Sequence, residues 1–225
     1  LIASGAALAA LALWAFAARA SIDPSTGLPE ADQGTVPPAD DGSDWTEPNV
    51  VISNLPEATV SNPNQALAAF QYAVRCCEHT QAAVASGADY TEFYGGAQFS
   101  DLSDHPVATG EMHGVPLDAL GPRYAGKVST AAGAYQINLP TWQDVRQAGA
   151  WGPELPDFSP ASQDEAARRL LMRCGALAKI DAGDIQGAFR SASAVWASLP
   201  YSTADQHARS MDFALARYSD GLQAG

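Results

Sequence analysis

Apolar residues are unevenly spread along the chain, and their spacing divides it into three parts. Residues 1–18, LIASGAALAALALWAFAA, hold no charge, and Arg19 closes the run. Eighteen residues rise about 27 Å as a helix, just enough to cross the hydrocarbon core of a bilayer. A retained single-span anchor over 1–19 is the leading expectation. A cleaved export signal is the second, because Ala18-Arg19-Ala20 before Ser21 has the small-x-small form of a cleavage site. A buried core helix is the third, although the segment that follows offers it no packing partner. The chain opens on Leu rather than Met, so a charged stub is expected ahead of it.

Residues 20–63 lack apolar periodicity. They carry eight carboxylates and no Lys or Arg, with Pro, Gly, Asp and Ser dominant. Such a segment cannot bury enough surface to offset its ordering entropy, so it reads as a linker. VVISNL (50–55) is its one patch able to pair as a short strand or dock on a domain. Cationic residues resist translocation, and a linker without them suits the non-cytoplasmic side. The expected topology is N-terminus inside, domain outside.

Residues 64–225 have the patterning of a globular domain. Leu67, Phe70, Val74 and Cys77 share one helical face, which predicts a first helix over Gln65–Cys77, with Asn62-Pro63 as its start signal. Tyr90, Phe93, Tyr94, Gly95-Gly96 and Phe99 read as a strand-and-turn region over 89–101. Gly and Pro punctuate a long loop at 106–126. Residues 134–137 read as short and extended, before a helix from Pro140-Thr141 to about Gly149. Ser159-Pro160 followed by Asp164-Glu165 is a strong helix start, with Leu170, Leu171 and Cys174 on that helix and Gly175 stopping it. Two further helices are expected, at about 182–197 and 203–219. The fold class is α+β, mostly helical, with a small antiparallel sheet after the first helix.

Composition narrows the function. The chain has 225 residues, with 12 Lys+Arg against 25 Asp+Glu and a net charge of −13. Binding nucleic acid needs clustered cations to neutralise phosphates, so that class is excluded from the expectations. Three Cys do not frame a disulfide mini-fold. His79, His105, His113 and His207 have no carboxylate or thiol at metal-ligand spacing, and no metal site is expected. No phosphate-binding Gly-rich loop or Gly-x-Ser-x-Gly elbow is present, and no cofactor is expected.

One carboxyl stands out. Glu78, in Val74-Arg75-Cys76-Cys77-Glu78-His79-Thr80, follows directly on the apolar face of the first helix. Partial desolvation there raises a carboxyl pKa and keeps a proton available for a glycosidic oxygen. Most Glu residues at helix ends are solvated surface groups, so the signal by itself is weak.

Other segments add to it. They are Glu78-x-Thr80; Tyr90 through Gly95-Gly96 to Phe99; and Asp101-x-Ser103-Asp104-His105-Pro106. Ser129 through Gln136 and Asp157-Phe158-Ser159-Pro160-x-Ser162-Gln163-Asp164 follow. Gly175-Ala176-Leu177, Ile180-Asp181-x-Gly183-Asp184-Ile185 and Trp196-Ala197-Ser198-Leu199-Pro200 complete the series. In this order they resemble the phage lambda endolysin family of lytic transglycosylases, over roughly 70–220. The resemblance implies a lysozyme-like fold acting on peptidoglycan. It makes Glu78 the acid, then the base, that cleaves the bond from N-acetylmuramic acid to N-acetylglucosamine and leaves a 1,6-anhydro end. One carboxyl suffices when the attacking hydroxyl is intramolecular and already at high effective concentration.

The resemblance also implies substrate contacts. Thr80 and Tyr90 lie in matching segments. Tyr135 and Gln136 fall in the cleft-wall motif, with a core tyrosine and a sheet-edge amide as the plain alternative. Ser129 and Thr130 are placed to bond sugar hydroxyls. Tyr201 follows Leu199-Pro200 in one lip of the cleft, where this chain is shorter than the family pattern. The family's Asp before the aromatic-Gly-Gly segment falls on Thr91, leaving Asp89 or Glu92 as stand-ins. Asp104-His105-Pro106 reads as a turn-fixing motif, and Trp196 as core. The plain reading of Cys76, Cys77 and Cys174 is three buried core thiols; if the domain is periplasmic, a bridge from Cys174 to Cys76 or Cys77 is the alternative.

Four functions stay open on the sequence: a lysis enzyme anchored in the bacterial inner membrane through residues 1–19, a virion enzyme opening the wall for genome entry alongside other virion proteins, a hydrolytic muramidase, and an inactive wall-binding protein. A hydrolase would need a second acid, for which Asp89, Glu92 and Asp101 are the candidates. Residues 64–225 hold 17 acidic and 11 basic side chains. Charge does not attract such a domain to an anionic wall, and tethering would replace that attraction.

Overall fold

The structure, a computed structural model, describes residues 62–203 and 208–224. The expected anchor over 1–19, the VVISNL patch and the linker over 20–63, except for its last two residues, lie outside these residues. Among the described residues no helix is long and apolar enough to cross a membrane.

The first helix, α1, spans Pro63–Glu78. Asn62 caps it, accepting from the Asn64 N–H, and Pro63 occupies the first turn, where its missing N–H costs nothing. Ala66, Phe70 and Val74 recur every fourth residue and are buried. α1 packs along α7, Met211–Ala224. The two helices approach closely because Gly221 lies over Ala69, where a Cβ would stand 2.8 Å from the Ala69 Cα.

A short helix, α2 (Gln81–Ser86), follows and was not expected; Thr80 caps it. A single 3-10 turn, Ala88–Thr91, leads into β1 (Glu92–Phe93), which pairs antiparallel with β2 (Ala97–Gln98). Single bridges extend this ladder from Phe93 to Ala132 and from Ala132 to Ile137. A second hairpin pairs β3 (Val115–Pro116), inside the expected loop, with β4 (Val128–Ser129), just beyond its end.

Residues 134–137, expected to be extended, instead form a turn. Gly133 takes a positive φ of 73° and Gln136 one of 45°, and the Gln136 N–H returns to the Gly133 carbonyl at 2.9 Å. A Cβ on Gly133 would also meet the side chain of Gln163 at 2.1 Å, so glycine is required twice over.

The C-terminal half is helical. α3 spans Leu139–Val145, ending before the expected Gly149. α4 spans Pro160–Arg173 with Ser159 as its cap, as its sequence predicts. The expected helix at 182–197 is shorter: α6 covers Ile185–Ala192, and an unexpected α5, Ala176–Asp181, precedes it. Positive-φ glycines at 175 and 183 bracket α5. The last helix starts at Met211 rather than near 203. The Arg209 N–H is bonded to the Ser198 carbonyl at 2.8 Å, which holds the chain out of helical register until Ser210 caps α7.

Two aromatic clusters hold the core. Phe70 stacks on Phe189 at 4.4 Å, joining α1 to α6. Phe158 meets the edges of Trp142 and His105 at 4.8 and 5.1 Å. Trp196 is fully buried, as its helical spacing predicts. The three cysteines are free thiols, the plain reading of the sequence, and the alternative bridge is not formed. Cys76 and Cys77 are buried in α1, whereas the Cys174 thiol points back to the Leu171 carbonyl at the end of α4.

Candidate active site

Spacing along α1 carries Glu78 inward. It continues the row Ala66, Phe70, Val74 by one more step of four residues, so the apolar stripe takes a carboxyl into the interior. Glu78 is 5% exposed. Burial pushes its pKa up from 4.5 to about 7, against the Ser198 hydrogen bond and the charges of His79 and Arg209, which pull it down. A helix C-terminus also disfavours an anion.

Ser198 reaches Glu78 from 120 residues away and donates to Oε1. It sits in the turn after Trp196, whose indole N–H donates to the Tyr135 carbonyl at 3.0 Å. The Ser198 carbonyl in turn holds the Arg209 backbone. The turn thus sets both the hydroxyl on Glu78 and the approach of α7.

His79, beside Glu78 in sequence, is also buried. Its Nε2 lies 3.1 Å from the Gly133 carbonyl, and its Nδ1 lies 3.3 Å from Oε1 of Glu92. The second contact is ionic, without the alignment of a hydrogen bond. Burial lowers the imidazole pKa, but the Glu92 carboxylate and the charges of Glu78 and Asp89 outweigh it and raise it above 6.5. Gln136 shares the same carbonyl: its side-chain amide donates to Gly133 at 3.1 Å and to the Glu92 backbone at 3.2 Å.

The other sequence candidates have identifiable places. Thr80 is exposed, and its hydroxyl accepts from the Ala83 N–H as the cap of α2. Ser129 is buried in β4 and accepts from the Ala131 N–H. Thr130 donates to the Asn138 side chain and accepts from the Leu139 N–H, bracing the start of α3. Tyr90 and Tyr135 both donate to Oδ1 of Asp164, at 2.8 and 2.6 Å. Tyr135 is 1% exposed and takes the buried alternative. Tyr201, like Thr80, is exposed, at 54%, with a positive φ of 68° and the Arg190 guanidinium 4.3 Å over its ring.

The possible second acids separate in the same way. Asp89 is fully buried and held by two bonds from Arg75, at 2.7 and 3.0 Å, which commits it to structure. Asp101 is exposed and accepts from the Ser103 N–H in a local turn. Glu92 is the one that adjoins the Glu78–His79 pair. Among the described residues no cluster of His, Cys, Asp and Glu could hold a metal ion.

Sequence reasoning singled out Glu78 but not Ser198, His79 or Arg209. The Trp-Ala-Ser-Leu-Pro segment contained Ser198, yet nothing in its spacing shows that its hydroxyl meets a side chain at the end of α1.

Comparison with known proteins gives the lineage. A family described as Endolysin matches residues 68–223. The endolysin of Escherichia phage P2 is 41% identical over 114 residues, covering 51% of this chain and 63% of that protein. The endolysin of Escherichia phage lambda is 38% identical over 133 residues, covering 58% of this chain and 73% of that protein. A solved structure of bacteriophage lambda lysozyme complexed with a chitohexasaccharide is similar at a TM-score of 0.55 and 30% identity, covering 70% of this chain and 94% of that one. A second lambda lysozyme structure is similar at a TM-score of 0.52 and 30% identity, covering 72% and 95%. With a buried carboxyl ending α1 and a match across nearly all of the described fold, the chain belongs to the endolysin family.

Proposed function

We propose that this protein is a peptidoglycan-degrading enzyme of a bacteriophage, and that Glu78 cleaves the glycan by lytic transglycosylation. The observation that carries the reading is the environment of Glu78. It is a nearly buried carboxyl whose pKa lies at about 7, so it still holds a proton at neutral pH. Ser198 donates to Oε1, which leaves Oε2 as the oxygen that carries the mobile proton.

Glu78 gives that proton to the oxygen joining N-acetylmuramic acid to N-acetylglucosamine. The C1–O bond breaks as the muramyl C6 hydroxyl attacks C1. The carboxylate then takes the hydroxyl proton, which restores the starting acid and consumes no water. The single partner suits this chemistry, since an internal hydroxyl needs no second carboxylate to activate it. Tyr201, exposed three residues beyond Ser198, is the side chain of the sequence set best placed to meet a sugar face. Residues 1–19 would tether the enzyme to the inner membrane and raise its concentration at the wall.

The test is mass spectrometry of fragments from purified peptidoglycan digested with the full chain and with Glu78→Gln. Anhydro ends, about 18 Da lighter than hydrolysed ends, are expected from the wild type and not from the variant. Reducing ends would replace this reading with a hydrolase, with Glu92 as its second acid. No products from the wild type would leave wall binding as the function. Finding the chain in purified virions would assign it to entry rather than lysis.

A further inference from the structure

We propose that His79, held as an imidazolium between the Gly133 carbonyl and the Glu92 carboxylate, is a positioning residue that sets the charge state of Glu78. The inference rests on Glu78 being the proton donor.

Geometry assigns the charge. The Gly133 oxygen can only accept, so Nε2 carries a hydrogen. Nδ1 faces a carboxylate oxygen at 3.3 Å, and among the described contacts it has no other polar partner. Both ring nitrogens therefore face acceptors, an arrangement that suits the doubly protonated ring. The ring is buried, which by itself disfavours its charge, so that charge has to be held by these two acceptors rather than by water. Its neighbour along the chain is Glu78 itself.

The surrounding charges are few. Glu78 feels His79, Arg209 and the Ser198 hydroxyl, and abuts the buried, un-ionised thiol of Cys77. His79 feels Glu92 from β1, Asp89 from the 3-10 turn, and Glu78. Asp89 is neutralised by Arg75, so Glu92 is the anion available to hold the imidazolium. Without a charged His79, burial would act on Glu78 with one less opposing charge. The acid would then hold its proton to higher pH and return as a base less readily.

The sign of the Glu92 effect separates this device from simple electrostatics. Removing a carboxylate near Glu78 should by itself ease ionisation of Glu78 and move its titration to lower pH. If Glu92 acts through His79, its removal discharges the ring and moves the Glu78 titration to higher pH. Burial lowers the proton affinity of His79 and Glu92 is the largest influence opposing it, so removing that carboxylate moves the ring toward its neutral form.

The experiment is a carbon-13 NMR titration of side-chain-labelled glutamate in the full chain, with the Glu78 resonance assigned by its loss in Glu78→Gln. Wild type is compared with His79→Gln, whose amide can still donate to Gly133, with Glu92→Gln, and with the double variant. Both single variants are expected to raise the Glu78 midpoint by about half to one pH unit, a size typical of one nearby charge. The double variant is expected to add nothing beyond His79→Gln. The alkaline limb of wall cleavage should move with the titration. An unmoved midpoint, a shift to lower pH in Glu92→Gln, or additive shifts would overturn the proposal. Should His79→Gln fail to fold, Glu92→Gln at its half-exposed position decides the matter alone. Failure of the broader reading is seen separately, as full wall cleavage by Glu78→Gln, because the titration needs no activity.

Discussion

Glu78 is desolvated at the end of α1 and keeps one side-chain hydrogen bond, from Ser198. Folding therefore raises its proton affinity from the ordinary 4.5 to about 7. Between those values the folded chain binds the proton more tightly than the unfolded chain does. Stability must then fall as pH rises from 4.5 to 7, and stay reduced above it. Gln has the same shape and no charge to desolvate. Glu78→Gln is expected to melt at the same temperature as wild type near pH 4. At pH 8 it should be more stable by roughly 2 kcal/mol, or about 4–8 °C in a domain of this size. Scanning calorimetry at the two pH values checks this; a variant less stable at pH 8 would mean that the carboxylate is well solvated there. Residue-scale legibility was uneven. Glu78 was visible because it follows directly on an apolar helix face and sits in the first of the ordered motifs that carry the family resemblance. Tyr135 was not assignable, since an aromatic in a turn can line a cleft or fill a core with the same neighbours in sequence.

At the scale of elements, caps and stripes governed what could be read. α1 and α4 carry strong start signals, Asn62-Pro63 and Ser159-Pro160, and both fold where those signals stand. α5 and α6 are six and eight residues long, too short for periodicity to separate them from one longer helix. The start of α7 depends on the bond from Arg209 to Ser198, a contact with no local signature. The Asp104-His105-Pro106 turn shows a connection of the same kind that its sequence did suggest. Asp104 accepts from the Trp142 indole at 2.7 Å and from Arg146 at 2.6 Å, tying the loop to α3. Trp142 is fully buried, so truncating Asp104 takes the partner from a buried indole N–H and from the Arg146 guanidinium. Asp104→Ala is expected to lose about 2 kcal/mol or more in urea unfolding, with an unchanged slope. A loss below about half a kcal/mol would show that the turn closes without this carboxylate.

At the scale of the whole molecule, charge sets how the protein meets its target. The chain carries −13, and residues 64–225 alone have more acids than bases. On the proposed function, an enzyme of this charge approaching an anionic wall would be repelled over about 10 Å at 0.1 M salt, and further in dilute buffer. Raising NaCl from about 10 to 150 mM should therefore speed wall digestion several-fold at low substrate and leave the saturated rate unchanged. Turbidity loss of purified walls across a salt series measures it. A rate that falls with salt would reveal a local cationic docking surface stronger than the overall charge.

The carboxyl to pursue came from the resemblance carried by the ordered motifs; the linear sequence by itself determined the helical content, the α+β class and the acidic character. Each follows from local rules: spacing puts residues on a face, caps satisfy free N–H groups, and Pro and Gly punctuate. Tertiary structure alone decided that Ser198 meets Glu78 across 120 residues, that Gly133 offers one carbonyl to both His79 and Gln136, and that Asp89 is bound to Arg75 while Glu92 faces the site. The reason is physical. A side chain's proton affinity depends on the water it has lost and the charges that replaced it, and both are set by segments far away in the chain.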